Sequence, residues 1–212
     1  MRDYPAVIEY VLKRFPSSRL ILVGHSVGGH IMALLPPGLR TRIHRAVFVA
    51  VNNPNWHYFP ASPTFNFRKY WEPVPDMIVS RGYLLAGETR IRVTTPAGVG
   101  LEWVLGMIGD DKRYFAGIPA LTRLYTSWDV ETLAIAFDDD PVLPGKKPFP
   151  VDGWCDVHVN AKITRILVTP KKEVEHSGMF KRQSGVWEMM RDLIIDGFIP
   201  EGNTRRWNHS KL

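Results

Sequence analysis

An apolar run that ends in glycine, Leu20-Ile21-Leu22-Val23-Gly24, passes directly into His25-Ser26-Val27-Gly28-Gly29. The near-continuous apolar stretch from Arg19 to Val23 reads as a strand buried on both faces, as in a parallel sheet. After the glycine-rich turn, Val27 to Leu35 reads as a helix stopped by Pro36-Pro37. Gly24 to Gly28 fits the pattern G-x-S-x-G, in which a strand turns so sharply into a helix that the serine is held in a strained backbone conformation. Side chains two positions either side of the serine would collide with neighbouring elements, and glycine at 24 and 28 removes that collision. The hydroxyl then stands clear of the sheet at the helix start, where the dipole favours an oxyanion and the Val27 amide is placed to donate to it. Ser26 is therefore the candidate nucleophile. The competing reading is a glycine-rich turn with an idle serine. His25 points away from the serine in this geometry and reads as a packing residue.

The surrounding pattern supplies an α/β frame. From Tyr4 to Phe15, Val7, Ile8, Tyr10, Val11 and Leu12 recur at helical spacing, with Asp3 as N-cap and Pro5 in the first turn. Ile43 to Val51 gives a second buried strand, Thr132 to Phe137 a third, and Ala161 to Val168 a fourth. A closing helix runs from Met179 to Ile195. Helix, strand, helix, strand, insertion, strand, helix or loop, strand and helix imply parallel pairing with crossover helices, as in half of a doubly wound sheet. Between about 52 and 128 the texture changes to aromatics, proline and glycine, including Trp56, Tyr58, Phe59, Phe65, Phe67, Tyr70 and Trp71. That stretch reads as an inserted cap, with a helix over Val99 to Ile108. One domain is expected over 1–200, followed by a polar tail over 201–212 that holds Arg205, Arg206 and Lys211.

A serine needs a base, and the base an acid to orient it. Of the histidines after Ser26 (His30, His44, His57, His158, His176, His209), only His176 falls in the loop between the last strand and the last helix, where the chain can turn the ring toward the serine. His158, just ahead of the last strand, is second; a surface-loop histidine is the bland alternative. The strand Thr132 to Phe137 ends in Asp138-Asp139-Asp140-Pro141, and a strand end lets a carboxylate reach the histidine. Three adjacent like charges repel, so at least two should face water. Asp140 is the first choice as the acid and Asp139 the second.

Composition narrows the setting. The 212 residues carry 27 Lys and Arg against 21 Asp and Glu, a net charge of +6 that is scattered rather than massed, so a solvated basic surface outweighs a nucleic-acid stripe. Cys155 is the only cysteine, which excludes an internal disulfide and favours a cytoplasmic setting. No apolar stretch approaches a membrane span, and the first residues show no signal-peptide core. The histidines lack metal-ligand spacing, and there is neither a G-x-G-x-x-G nor a P-loop, so no metal and no cofactor is expected.

Three segments together resemble the α/β-hydrolase superfamily, within it the predicted hydrolases of the serine aminopeptidase or lysophospholipase-like group. They are Leu22 to Gly29, Phe137-Asp138-Asp139-Asp140-Pro141, and Glu175-His176-Ser177-Gly178-Met179-Phe180; Pro96 to Trp103 is also similar to a cap-helix start in one subgroup. The resemblance implies an ester or related acyl substrate, Ser26 as nucleophile, Asp140 as acid and His176 as base. The sequence departs from the family in having one helix, rather than several strands, ahead of the serine turn. That implies an N-terminally truncated sheet without the turn that donates the second oxyanion hydrogen bond, a loss worth roughly 100 to 1,000-fold in turnover. It also predicts an unpaired apolar edge at Leu20 to Val23 through which the chain could self-associate. A catalytically impaired hydrolase-like protein that binds a ligand or partner, or a truncated gene product, is the alternative.

Overall fold

The computed structural model describes residues 3–53, 55–59, 66–87, 94–111, 115, 118–138, 140, 150–169, 186–195 and 205–208. They form two compact units: one made of Met1–Asn52 and Leu124–Leu212, the other of Asn53–Arg123. The insertion expected over about 52–128 thus compares with a second unit at 53–123.

In the first unit, α1 (Asp3–Arg14), β1 (Ile21–His25), α2 (Val27–Met32), α3 (Pro37–Arg40) and β2 (Arg45–Val49) precede the insertion. Asp3 lies inside the first turn of α1 rather than capping it. α2 ends at Met32 rather than running on to Leu35, so Pro36-Pro37 lie beyond its end, and Pro37 instead opens α3, since its fixed φ and missing N–H suit a first helical position. The second unit, after a 3-10 turn at Trp56–Tyr58, contains α4 (Phe67–Trp71), α5 (Val74–Arg81), the two-residue strands β3 (Tyr83–Leu84) and β4 (Thr95–Pro96), and α6 (Ala97–Ile108). α7 (Pro119–Thr126) carries the chain back, followed by β5 (Thr132–Phe137), α8 (Pro150–Val157), β6 (Ile163–Thr169), α9 (Val186–Ile195) and β7 (Arg205–Asn208).

The main sheet is parallel throughout in the order β1-β2-β5-β6-β7. Its last strand comes from the stretch read as a polar tail: backbone pairing with β6 takes in four residues of it. β5, flanked on both sides, is buried at all six positions, which accounts for its unbroken apolar sequence. Alternation divides the core. Val47, Val49, Leu133, Ile135, Phe137, Ile166 and Val168 meet Val186 and Met190 of α9 on one face. On the other, Phe48 packs on Trp128 and edge-on to Trp154, with ring centroids 5.6 and 5.1 Å away. Helices on both faces make this a doubly wound sheet. β1, expected to be buried on both faces, is instead half-covered, because it is the outermost strand and Val23 is exposed.

The second unit has its own core of Trp71, Val74, Ile78, Leu84 and Val104. Gly100 of α6 lets that helix lie against Ile78 and Leu84; a Cβ there would sit 3.2 Å from the Ile78 side chain. Asn55, fully buried, ties the unit's first turn to its helix end by donating to the carbonyls of Gly106 and Gly109, each at 2.9 Å. Among the described residues no helix is long and apolar enough to cross a membrane.

Candidate active site

Ser26 occupies the corner between β1 and α2 with φ 50° and ψ −126°. That lies outside the regions an L-residue adopts at ease and costs on the order of 1–3 kcal/mol, so the corner persists only because its flanks hold it. The Ser26 amide donates to the Val49 carbonyl at 3.0 Å, and its carbonyl accepts from the Gly29 amide at 3.0 Å. The residue is thereby tied forward to the helix and sideways to the next strand. Ala50, the residue just past the end of β2, also has positive φ, at 52°, and its amide donates to the Ile135 carbonyl at 2.8 Å. No pattern in the sequence marks Ala50, since alanine carries no bias toward that region.

The steric need for glycine falls partly elsewhere than expected. A Cβ on Gly24 would lie 2.9 Å from Cα of Gly29 and 3.1 Å from the Phe48 ring. At Gly29 it would lie 2.4 Å from a methyl of Val51. Gly28 has no atom within 4 Å of that position, so the close approach of α2 to the sheet is made by Gly24 with Gly29. The collision expected at Gly28 is absent because that residue faces away from β1 and β2. Val27 is the first residue of α2, and its amide is one of the first-turn donors that a helix leaves unpaired.

Asp138 and Asp140 follow β5, at the same end of the parallel sheet as Ser26, with β2 between the two strands. The Asp138 amide donates to Val168 at 3.1 Å, and the Asp140 amide reaches the Phe137 carbonyl at 3.4 Å, turning the chain back on itself. Asp140 is 2% exposed, whereas Asp138 is only half-buried. Asp139 and His176 lie outside the described residues.

His158 precedes β6, whereas Ser26 follows β1; in a parallel sheet these are opposite ends. Its ring is fully buried, 4.2 Å from Trp154 and 4.5 Å from Tyr125, and burial pushes its pKa down to about 3, helped by neighbouring His30. The Tyr125 carbonyl pulls the other way without completing a hydrogen bond to either ring nitrogen. His158 is core. His30, one turn beyond Ser26, is also buried, and desolvation lowers it to about 4. Its Nδ1 is 2.7 Å from the Tyr125 hydroxyl and its Nε2 3.0 Å from the Asn52 carbonyl. A neutral imidazole with Nε2 protonated satisfies both contacts, donating to Asn52 and accepting from Tyr125. His30 was legible in the sequence only as one more histidine. Its partners flank the insertion and are 22 and 95 positions away.

Neither a family model nor a curated protein matches the sequence. Solved structures do match in three dimensions. Mouse alpha/beta hydrolase domain-containing protein 10 superposes with a TM-score of 0.51 at 15% identity, over 89% of this chain and 68% of that one. A metagenome-derived lipolytic enzyme of the LipS and LipT pair superposes with a TM-score of 0.52 at 15% identity, over 92% of this chain and 71% of that one. At that identity the likeness establishes the fold, which is that of the α/β-hydrolases.

Proposed function

We propose that this α/β-hydrolase fold carries a serine hydrolase for an ester or related acyl substrate, with Ser26 as nucleophile, His176 as base and Asp140 as acid. The observation that carries the reading is the backbone of Ser26: φ 50°, ψ −126° in a strand-to-helix corner fixed from two sides. Strain of this kind at a non-glycine residue calls for a compensating use, and presentation of a hydroxyl at a helix start is one. His176 takes the proton of the Ser26 hydroxyl as Oγ attacks the acyl carbonyl. The resulting oxyanion is met by the Val27 amide. Collapse expels the leaving group with the proton returned from His176, and water repeats the sequence on the acyl-enzyme. Asp140, the better shielded of the two described aspartates after β5, holds the imidazole in its working tautomer. No cofactor takes part, and a cytoplasmic setting belongs to the same reading.

Labelling of the purified chain with a fluorophosphonate tests this directly. Labelling that disappears in Ser26→Ala supports it. A folded, monodisperse sample that takes no label overturns it in favour of a ligand-binding protein. With a p-nitrophenyl ester, Ser26→Ala and His176→Ala should each lower kcat on the order of 10⁴-fold or more. Asp140→Asn should cost on the order of 10⁴-fold while Asp139→Asn leaves kcat within a few fold, which separates the two candidate acids.

A further inference from the structure

We propose that the unit formed by residues 53–123 binds a small planar aromatic acid in a cavity between its 3-10 turn and α4, with Lys69 receiving the carboxylate. The cavity measures about 560 Å³, within the range of small-molecule sites. Its walls are the rings of Trp56, His57, Phe59 and Phe67, and Arg68, Lys69 and Glu72 supply its charges. The unit's own core takes Trp71 and packs against Phe67, whereas Trp56, His57 and Phe59 remain half-buried. The rings stand in two stacked pairs, Trp56 with His57 at 3.9 Å and 30°, and Phe59 with Phe67 at 4.1 Å and 13°. No aliphatic side chain is among the described residues that line the cavity. Flat faces of this kind are matched by another ring better than by a flexible chain.

The walls are fixed by bonds of their own. The Asn55 side-chain oxygen accepts from the His57 amide at 3.1 Å and from its Nδ1 at 2.6 Å. Because the Asn55 nitrogen is committed to the carbonyls of Gly106 and Gly109, that oxygen can only accept, so Nδ1 carries the proton. Trp56 Nε1 donates to the Gly109 carbonyl at 3.1 Å, and the Asn66 side chain caps α4 by accepting from the Lys69 amide at 3.0 Å. Groups held in this way lose little freedom when a ligand enters. Charge then selects the ligand's sign. The Arg68 Nε lies 3.3 Å from Glu72 and its Nη1 3.0 Å from Asp110, and the guanidinium lies over Trp56, 5.1 Å from the ring. The place that a ligand cation would take on Trp56 is therefore filled, and Glu72 is already paired. Lys69 is exposed, and among the described residues no carboxylate pairs with it. Its ammonium is the lining charge left to meet an anion.

NMR titration of the full chain with 2-naphthoate tests this, and because every residue of the site lies within the 53–123 unit the outcome is separate from the role of Ser26. Binding should saturate at one molecule per chain, with a Kd on the order of 1 mM or tighter. Neutral 2-naphthalenemethanol should bind about threefold to fivefold more weakly, as expected for the loss of one exposed charge contact, and 2-naphthylmethylammonium more weakly still. Octanoate, an acid without a ring, should bind more weakly than 2-naphthoate. Lys69→Met, at an exposed position that leaves the melting temperature unchanged, should bring 2-naphthoate to the level of the alcohol and leave the alcohol's affinity as it is. Phe59→Leu, which removes one ring of a stacked pair, should weaken both aryl ligands several-fold and preserve the ratio between them. Absence of saturable binding by about 10 mM 2-naphthoate, octanoate or the ammonium compound binding as tightly as 2-naphthoate, or a preference for acid over alcohol unmoved by Lys69→Met overturns the proposal.

Discussion

At the scale of single residues, the serine corner depends on how closely α2 approaches β1 and β2, and that distance is set by two absent side chains. Gly29→Ala drives a methyl to 2.4 Å from Val51, whose β-branched side chain has little freedom to move aside. The cost should be about 1–3 kcal/mol in urea denaturation, and Val51→Ala in the same chain should recover part of it. Gly28→Ala, with open space at its Cβ, should leave the midpoint unchanged or slightly raised. The motif alone would have assigned these two effects the other way round. G-x-S-x-G identifies which residues are small, but which of them touches the sheet depends on the helix's orientation. That is a tertiary quantity.

Among the elements, α3 has no periodicity to announce it: four residues, opened by a proline and ended by Arg40. Arg40 is 2% exposed. Its guanidinium donates to the carbonyls of Leu35, Leu124 and Ser127 at 2.7, 2.6 and 2.5 Å, and it stacks 5.4 Å from Trp128. Burial lowers its pKa and Asp129 partly offsets this. The side chain thus replaces water for loop carbonyls on both sides of β2's leading end, and Arg40→Ala should cost about 3–5 kcal/mol, read as a loss of denaturation midpoint. In the sequence Arg40 looked like one of several scattered surface cations, since charge says nothing about burial. The strands were more legible. Thr132 to Phe137 is β5 residue for residue, because a central strand must be apolar on both faces. β1 and β2 were legible within two residues at each end. The short helices of the second unit and β7 were not, since they are fixed by packing and backbone pairing rather than by local pattern. Of the candidate site, Ser26 was legible because its corner has a signature, and the aspartates because they follow a recognisable strand. His158 was a defensible second choice from its position, and its burial against Trp154 and Tyr125 could be read only in three dimensions.

At the scale of the whole molecule, two buried neutral imidazoles among the described residues make the fold less stable in acid. His30 and His158 titrate in the fold near 4 and 3, against about 6.5 in an unfolded chain, so below pH 6.5 the unfolded chain binds protons that the fold refuses. Stability from this source is full above about pH 7 and declines as pH falls through 6.5 toward 4, by up to about 1.4 kcal/mol per pH unit for each group. The denaturation midpoint should therefore drop between pH 7.5 and pH 5. His158→Leu, which removes two ring nitrogens that have no partner, should make that drop smaller. The insertion itself leaves and rejoins the sheet at points pinned to a single ring: His30 holds the Asn52 carbonyl through one nitrogen and the Tyr125 hydroxyl through the other. What lies between those points, residues 53–123, has a core of its own. Removing that one ring would release both ends of it at once.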